Sequence, residues 1–255
     1  MGQRSLFDLD DRVAVVTGAL GSIGRAYALA LAEYGADIAL VDKNPKGAVE
    51  IMESIRTLGR KVEFYPLDVT DVQAVKATVA LIHERFQKID ILMNHAGMNI
   101  RKPALDFSEN EWDKVLDVNL KGMFFMAQAV GDYMVQRRKG KIINTASVSS
   151  VRGHVNLVAY AASKGAVVQM TKVLAKEWAP YNVQVNAIGP GYIRTQQTEE
   201  FLQQPKVYQE IVGKIPMNRV GSPEDLVGGC LFLVSSASDY VTGQTLFIEG
   251  GRLID

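Results

Sequence analysis

The sequence of 255 residues contains one cysteine and three histidines, and both scarcities exclude a kind of site. The single cysteine, Cys230, rules out an internal disulfide, and its apolar neighbours indicate a small buried side chain rather than a nucleophile. His83, His95 and His154 are far apart along the chain, and no close set of acidic residues or cysteines accompanies them. The sequence therefore predicts no metal site, because a metal needs several ligands of these types close together.

An excess of charge of one sign and long apolar runs are also missing. The 28 basic and 28 acidic residues cancel, which implies neither a nucleic acid nor a membrane surface as a partner. No apolar run approaches the ~18 residues of a membrane span, and residues 1–16 lack the features of a secretory signal. The one cluster of like charge, at residues 137–139, suits the C-terminal end of a helix. We therefore expect a cytoplasmic protein that acts on a small molecule.

Short apolar runs rich in β-branched residues alternate with longer stretches of helical periodicity. This alternation predicts one α/β domain over residues 1–255, with a doubly wound parallel sheet of seven strands and helices on both faces. Ala26–Ala32 and Val72–Phe86 are two of the predicted helices, and both should pack on the sheet. The predicted strands are Val13–Val16, Ile38–Val41, Val62–Leu67, Ile89–Met93, Ile142–Ile143, Val183–Ile188 and Leu246–Ile248.

Glycines crowd the turn between the first strand and the first helix. They are Gly18, Gly21 and Gly24, with Ser22 and Ile23 between the last two. Glycines let the backbone approach a phosphate closely, and the N–H groups and dipole of the new helix favour its negative charge. The spacing differs from the usual dinucleotide fingerprint, so a purely structural turn is the alternative to a nucleotide site.

Acidic side chains follow the second and third strands. Asp42 lies where a carboxylate can accept hydrogen bonds from both ribose hydroxyls of an adenine nucleotide and repel a 2′-phosphate. This position favours NAD over NADP, although the adjacent Lys43 could compensate a phosphate. Asp68 either hydrogen-bonds the adenine amine or belongs to the cap of the next helix. A turn residue is the alternative interpretation of Asp42.

Small and polar residues follow the fourth strand. Asn94, Ala96 and Gly97 leave room for a flat ligand beyond the strand ends. In the next loop, Arg101 is either a solvated basic residue or the partner of a substrate carboxylate. Asn119 lies in a strongly apolar helix, so its amide needs a partner, which is either the backbone or an ordered water.

The stretch from Ser147 to Lys164 contains the residues of a proton-transfer site. Tyr160 and Lys164 are four positions apart on a predicted helix and share one face, as ordinary surface pairs also do. We expect the ammonium to favour the ionised phenol and to lower its pKa from about 10 toward neutrality. The phenol could then exchange a proton with a substrate whose oxygen is held by the hydroxyl of Ser147.

In this order and spacing, the motifs resemble a short-chain dehydrogenase/reductase over essentially the whole chain. They are TGALGSIG, LDVT, NHAG, DVNL, the interval from Ser147 to Tyr160, YAASK and PGYIRT. The resemblance implies a Rossmann-type sheet, a nicotinamide cofactor and a homotetramer or homodimer. The implied catalytic set is Asn119, Ser147, Tyr160 and Lys164. The implied cofactor contacts are Gly18, Gly21, Ser22, Ile23, Gly24, Asp42, Asp68, Val69, Asn94, Ala96, Gly97, Tyr160, Lys164, Pro190, Gly191, Ile193 and Thr195.

Two positions depart from the pattern of that family. Ser22 stands where the middle glycine of the turn is usual, with Gly21 one place early. His95 replaces the second asparagine of the usual NNAG motif. We do not expect His95 to be catalytic, because Tyr160 already supplies the proton donor of the family.

Within the family, NIRKPALDFSENEWD and the C-terminal segments look most like gluconate 5-dehydrogenases and related sugar-acid or polyol dehydrogenases. That resemblance makes Arg101 the match for an arginine near a sugar-acid carboxylate. Ser147, His154, Tyr160 and Tyr192 complete the expected substrate contacts, and residues from about 192 to about 215 are expected to close as a lid.

The expected function is the interconversion of a secondary alcohol and a ketone, with NAD preferred and NADP possible. One alternative inside the dehydrogenase class is a 3-ketoacyl carrier-protein reductase. Outside it, the alternatives are a non-catalytic nicotinamide-nucleotide scaffold and a different Rossmann enzyme, such as an S-adenosylmethionine transferase.

Overall fold

The computed structural model describes residues 5–254, apart from the side chains of residues 197 and 201. In this range, seven parallel strands form one sheet in the order β3-β2-β1-β4-β5-β6-β7, which confirms the predicted fold class. Residues 1–4 of the N-terminal segment and the final residue of the predicted domain lie outside the described residues. The strands are β1 Val13–Thr17, β2 Asp37–Asp42, β3 Val62–Pro66, β4 Ile91–Asn94, β5 Gly140–Thr145, β6 Val183–Pro190 and β7 Thr245–Ile248.

Helices connect the strands and cover both faces of the sheet. The α-helices of the described residues are α1 Ser22–Glu33, α2 Ala48–Thr57, α3 Val72–Phe86, α4 Glu109–Leu116, α5 Met123–Arg137, α6 Val158–Trp178, α7 Gln196–Leu202, α8 Pro205–Val212 and α9 Val227–Val234. The predicted Val72–Phe86 helix has the observed bounds of α3, and the predicted Ala26–Ala32 helix lies inside α1. No helix within residues 5–254 has both the length and the apolar character to cross a bilayer.

The strands divide their side chains between two apolar layers. Val16 of β1 packs in one cluster with residues of α1, α2 and α9, which include Cys230. Val15, the preceding residue, packs in the opposite cluster with residues of α3, α5 and α6. Successive strand residues point to opposite faces, so a fully buried strand reads as a continuous apolar run.

All seven strands differ from the prediction by one or two residues at an end, and two of these differences lie at buried polar residues. The strand predicted to begin at Ile89 begins at Ile91. The residue before it, Asp90, is buried, and its carboxylate accepts the Val13 N–H at 2.9 Å and pairs with Arg137 at 2.9 Å. β5 extends beyond the predicted Ile142–Ile143 as far as Thr145. In it the buried Asn144 donates from Nδ2 to the Thr171 hydroxyl at 3.0 Å.

The order of the strands places a crevice at the carboxyl edge of the sheet. β1 lies between β2 and β4, so the chain runs outward from β1 in both directions. At such a switch point the loops after neighbouring strands diverge and leave room for a ligand. α7 and α8 follow β6 above this edge and pack on a small apolar cluster of their own, which includes Leu202, Val212 and Ile215.

Candidate active site

The turn between β1 and α1 needs glycine at two positions. Gly18 has a φ of +64°, and a Cβ there would lie 3.0 Å from the Cα of Ala96. A Cβ on Gly24 would lie 2.1 Å from the carbonyl oxygen of Gly18, so no larger residue fits without a backbone shift. Gly21 is different, because its Cβ would meet only that same oxygen, at 3.5 Å. The first turn of α1 is therefore held tightly against the end of β1.

The N-terminus of α1 has the features of a phosphate site. Gly21 is the residue that precedes the helix, and no side chain caps the N–H groups of the first turn. Uncapped N–H groups and the helix dipole favour an anion such as a pyrophosphate. Ser22 does not disturb the turn, since it is the first helical residue and its Oγ accepts the Gln196 N–H at 3.3 Å. The early glycine and the serine thus preserve the turn.

We expect Gly24→Ala to destabilise the protein by roughly 1 to 3 kcal/mol and to weaken dinucleotide binding at least tenfold, because the added methyl group must displace backbone atoms at the phosphate turn. The matched control is Gly21→Ala, for which we expect a loss of unfolding free energy below about 0.5 kcal/mol. Denaturant unfolding of both variants and NADH titration of Gly24→Ala make the comparison. Equal stability of the two variants would contradict the account of this turn.

The carboxylate of Asp42 is fixed at the end of β2. It accepts the Leu20 N–H of the glycine-rich turn and the Asn44 N–H, each at 3.1 Å. Asp68 accepts hydrogen bonds from the N–H and the hydroxyl of Thr70, and the first of these is the main reason why its pKa is lowered. The Nζ of Lys43 lies 3.8 Å from a carboxylate oxygen of Asp68. Lys43, Asn44 and Asp68 line an open groove that follows Asp42, and this groove suits the adenosine half of a dinucleotide.

Hydrogen bonds join the residues after β4 to the ends of β1 and β5. The hydroxyl of Thr17 accepts the N–H groups of His95 and Ala96 at 2.9 Å and 3.0 Å. The Nδ1 of His95 lies 3.1 Å from the Thr145 hydroxyl, and the ring packs edge-on against Tyr27. Desolvation, helped by the charge of Lys164, lowers the pKa of His95 to about 3. The imidazole is therefore neutral at physiological pH and links the loop after β4 to the end of β5.

β5 and α6 bring Ser147, Tyr160 and Lys164 together. A hydrogen bond links the side chains of Ser147 and Tyr160. The Nζ of Lys164 lies 5.7 Å from the centroid of the Tyr160 ring and donates to the carbonyl of Thr145 at 2.6 Å. Ser147 and Lys164 are buried, with exposed fractions of 7% and 2%. A phenol, a hydroxyl and an amine in this arrangement can bind the oxygen of an alcohol and take up its proton.

The predicted lowering of the Tyr160 pKa is wrong for this structure. Burial raises the pKa of the phenol above its ordinary value of 10.0, and the hydrogen bond from Ser147 opposes this increase. Burial also lowers the pKa of Lys164 from 10.5 to about 8. Both changes have one cause, since a poorly solvated environment disfavours the charged form of either group. The spacing of the two residues indicates their attraction but not the desolvation that outweighs it.

The side chain of Asn119 is paired with the backbone. Its Oδ1 accepts the Met98 N–H at 2.8 Å, and its Nδ2 donates to the Met98 carbonyl at 2.9 Å and to the Ser163 hydroxyl at 3.1 Å. Asn119 is fully buried in a π-helical segment, Asp117–Gly122, that joins α4 to α5. A Cβ on Gly97 would lie 3.3 Å from Oδ1 of Asn119 and 3.7 Å from Nζ of Lys164, so both groups border the same small space.

Most of the remaining residues predicted to contact a cofactor end or follow β3, β4 and β6, at the carboxyl edge of the sheet. Asn94 is buried and donates from Nδ2 to the Met123 carbonyl at 2.7 Å, which gives it a structural role at the end of β4. A Cβ on Gly191 would lie 2.7 Å from the Cα of Glu249, so this glycine allows the chain to pass close to the C-terminal segment. Val69 follows β3, Pro190 ends β6, the buried Ile193 forms a bridge with Gly221, and Thr195 hydrogen-bonds Thr198.

Two of the predicted substrate residues, His154 and Arg101, lie beside a third, Tyr192. The Nδ1 of His154 lies 3.0 Å from the Ser149 hydroxyl, and its ring stands perpendicular to that of Tyr192 at a centroid distance of 6.2 Å. Arg101 lines a cavity together with Tyr192 and Arg252. Sequence reasoning missed Arg252, because no motif marks this residue near the C-terminus and only the fold brings it to the crevice.

The arrangement fits a nicotinamide dinucleotide. The uncapped first turn of α1 would hold its phosphates, Asp42 would hold the adenine ribose, and Tyr160 with Lys164 would face its reactive end. The fit rests on the glycines of the turn, where a Cβ at Gly24 would collide with the backbone, and on the fixed carboxylate at the end of β2.

Comparisons with known proteins agree with this geometry. A protein-family model described as Enoyl-(Acyl carrier protein) reductase matches residues 18–252. The 2-dehydro-3-deoxy-D-gluconate 5-dehydrogenase of Escherichia coli (strain K12) is 42% identical over 250 residues, which cover 98% of this chain and 98% of that protein.

Two solved structures extend the comparison to the fold. One, from Beutenbergia cavernae, is described as an NAD(P)-dependent gluconate 5-dehydrogenase and has NADP bound at low occupancy. It is 37% identical with a TM-score of 0.94, and the match covers 98% of this chain and 100% of that one. The other is an NAD+-bound xylitol dehydrogenase, 38% identical with a TM-score of 0.90, and the match covers 95% of this chain and 99% of that one.

Proposed function

This chain belongs to the short-chain dehydrogenase/reductase family, whose members are NAD(P)-dependent oxidoreductases of CH–OH groups, and on that premise we propose that it interconverts a sugar acid such as gluconate and the corresponding keto acid. The observation that carries the proposal is the hydrogen-bonded pair of Ser147 and Tyr160 beside Lys164, next to a phosphate-binding turn. The relatives named for gluconate and its deoxy keto acid support the substrate class, and the xylitol dehydrogenase makes a polyol the second candidate.

In the proposed oxidation, Tyr160 acts as a phenolate and accepts the hydroxyl proton of the alcohol while a hydride leaves the same carbon. The charges of Lys164 and of a bound nicotinamide would have to outweigh the burial that raises the pKa of this phenol. A bound nicotinamide would supply the hydride acceptor at its C4. Ser147 would donate a hydrogen bond to the substrate oxygen and hold it against Tyr160. Lys164 would stabilise the phenolate by its charge and bind the nicotinamide ribose. Reduction of the ketone follows the same steps in reverse, with Tyr160 as the proton donor.

Asn119 would connect this site to solvent. We propose that a water bound beside Gly97 contacts both Asn119 and Lys164, because their side-chain atoms border one small space there. Both N–H groups of the Asn119 amide are already used by Met98 and Ser163. The contact to water would therefore come from Oδ1 or from the main chain. Ile193 and Thr195 would position the carboxamide and the phosphates of the cofactor, and the segment from about residue 192 to about residue 215 would close over the substrate as a lid.

NAD is the proposed physiological cofactor. The fixed carboxylate of Asp42 supports this choice, while Lys43 beside it would accommodate the phosphate of NADP. We expect Asp42→Ser to raise the ratio of kcat/KM with NADP to kcat/KM with NAD roughly 10- to 100-fold, since a like-charge contact costs on the order of a few kcal/mol. Asp132→Ser, which removes an exposed carboxylate from α5, is the control and should leave the ratio unchanged. An unchanged ratio in Asp42→Ser would contradict the assignment.

Initial rates on a substrate panel test the proposed function. The panel contains six-carbon aldonates, 2-deoxy aldonates, polyols and ketoacyl thioesters, each with NAD and NADP or with their reduced forms. We expect the highest kcat/KM for an aldonate or its keto acid. Faster reduction of acetoacetyl thioesters with NADPH would identify a 3-ketoacyl carrier-protein reductase instead. Binding of NADH without turnover of any compound would identify a nucleotide-binding scaffold.

We also propose that the protein is cytoplasmic and assembles as a homotetramer or homodimer. The apolar side of α5 does not by itself support assembly, because Met123, Met126, Val130 and Met134 are buried in the core of the protomer. Sedimentation equilibrium measures the assembly directly.

A further inference from the structure

The carbonyl that holds Lys164 is one that the sheet leaves free. β5 continues one residue beyond the end of β4, to Thr145. In a continued parallel ladder the Thr145 carbonyl would accept the Ala96 N–H. That N–H donates instead to the hydroxyl of Thr17, at 3.0 Å. The carbonyl of Thr145 is therefore available to Nζ of Lys164, which donates to it at 2.6 Å.

His95 is the residue that would pair with Thr145 if β4 continued, and its side chain makes the contact instead. The Nδ1 of His95 lies 3.1 Å from the Thr145 hydroxyl, and the His95 N–H donates to Thr17 at 2.9 Å. The ring packs edge-on against Tyr27, and a Cβ on Gly18 would lie 3.5 Å from its Cδ2. The imidazole is thus held in place by two other elements, and it restrains the end of β5 through one hydrogen bond.

A neutral hydrogen-bonding side chain suits the place beside this ammonium. Burial lowers the pKa of His95 to about 3, and the charge of Lys164 lowers it further. The imidazole therefore bonds the Thr145 hydroxyl without adding a second positive charge near Lys164. Lys164 is only 2% exposed, so water cannot readily replace the carbonyl of Thr145 as an acceptor. The position of that carbonyl consequently determines where the ammonium lies.

We propose that His95 positions Lys164 for the proton transfer by holding the Thr145 peptide, whose carbonyl binds the ammonium. This inference rests on the proposed function, since Lys164 is the residue that stabilises the Tyr160 phenolate there. His95 is a positioning residue in this account, because it acts through Thr145 and takes no part in the proton transfer itself. Its effect reaches the phenol only through the ammonium of Lys164.

Two substitutions of equal shape separate the hydrogen bond of His95 from its packing. Leucine and asparagine have nearly the same shape, but only asparagine has an amide that can replace Nδ1 as the partner of the Thr145 hydroxyl. In His95→Leu we expect kcat for gluconate at pH 7 to fall roughly 3- to 10-fold, the equivalent of one neutral hydrogen bond. His95→Asn should retain at least about half of the wild-type kcat.

The pKa of Lys164 is the readout that a merely structural role would leave unchanged. NMR titration of the full-length protein with ¹³Cε-labelled lysine measures it, and Lys164→Met identifies the resonance. We expect this pKa to fall by roughly half a unit to one unit in His95→Leu, since the ammonium loses part of its hydrogen bond, and to stay at the wild-type value in His95→Asn. His83→Leu removes an imidazole that stacks on Tyr133 and should change neither kcat nor this pKa.

Thr145→Val breaks the same hydrogen bond from the other side. It should lower kcat and the Lys164 pKa as His95→Leu does, and the double variant should lose no more than about twofold beyond either single one, because one interaction is removed in all three. Additive losses would overturn the proposal.

An unchanged Lys164 pKa in His95→Leu, or equal changes in His95→Leu and His95→Asn, would overturn the positioning role while the proposed function stands. Circular dichroism establishes that each variant is folded. If His95→Leu does not fold, Thr145→Val decides, since a lowered Lys164 pKa supports the role and an unchanged one overturns it. Failure of the wild-type enzyme to oxidise gluconate would overturn the proposed function. The NMR titration then decides the inference separately, because it needs no substrate.

Discussion

Replacement of Tyr160 by phenylalanine is expected to lower kcat for alcohol oxidation by ~10²- to 10⁴-fold, the usual cost of losing a general acid or base. The phenol oxygen is hydrogen-bonded to Ser147, and Tyr160 lies on the same helical face as Lys164. Phenylalanine keeps the ring and its packing, so we expect affinity for NADH to change less than about threefold. Steady-state rates with gluconate and fluorescence titration with NADH measure the two effects.

A matched control for this variant is Tyr240→Phe, which removes a hydroxyl from a fully exposed ring and should leave kcat unchanged. Retention of more than about a tenth of the wild-type rate in Tyr160→Phe would remove Tyr160 from the mechanism. A parallel loss of NADH affinity would show instead that the substitution damages the crevice.

Replacement of Lys164 by methionine is expected to lower kcat by at least ~10²-fold, because the phenolate loses the positive charge beside it. Burial lowers the pKa of Lys164 to about 8 and so reduces the charged fraction in the folded protein. At neutral pH most Lys164 side chains still carry the positive charge that stabilises the Tyr160 phenolate. Rates between about pH 6 and about pH 9 should stay low at every pH in the variant. Recovery of half or more of the wild-type rate would contradict the role of Lys164.

Stability of the same variant should move in the opposite direction from its activity. The folded protein releases the Lys164 proton at pH about 8, whereas an unfolded lysine keeps its proton up to its ordinary pKa of 10.5. The unfolded state therefore binds more protons between these two pKa values. The free energy of unfolding increases as the pH rises through this interval. Lys164→Met lacks this gain, and near neutral pH it should be no less stable than the wild type. Urea unfolding at pH 7 and pH 9.5 measures both.

Sequence periodicity predicts the architecture well, because a sheet covered by helices on both faces makes every central strand a continuous apolar run. Of the boundaries that it misses by one or two residues, two lie where polar residues are buried in pairs. Asp90, directly before β4, pairs with Arg137, and Asn144, inside β5, donates a hydrogen bond from its amide to Thr171. Both partners are distant in sequence, so no local pattern indicates them.

Some residues of the candidate site are predicted by the sequence, and others depend on contacts that only the fold creates. Residues that act through the local geometry of one turn or one helix, such as Gly18 and the pair of Tyr160 and Lys164, are readable from spacing alone. The pKa of Tyr160 is not, because desolvation depends on every element packed around the phenol. The amide of Asn119 and the guanidinium of Arg252 also depend on partners from other elements, which only the folded chain brings within reach.

The central claim is that this enzyme moves a hydride from the carbon of a sugar-acid alcohol to a nicotinamide while Tyr160 takes the proton. Gluconate deuterated at its secondary alcohol carbons, incubated with NAD and the wild-type enzyme, tests it most directly by mass spectrometry of the reduced cofactor. We predict one deuterium on the nicotinamide C4 of each NADH formed and none above background with Tyr160→Phe. Undeuterated NADH, or no NADH from gluconate at any enzyme concentration, would contradict the claim.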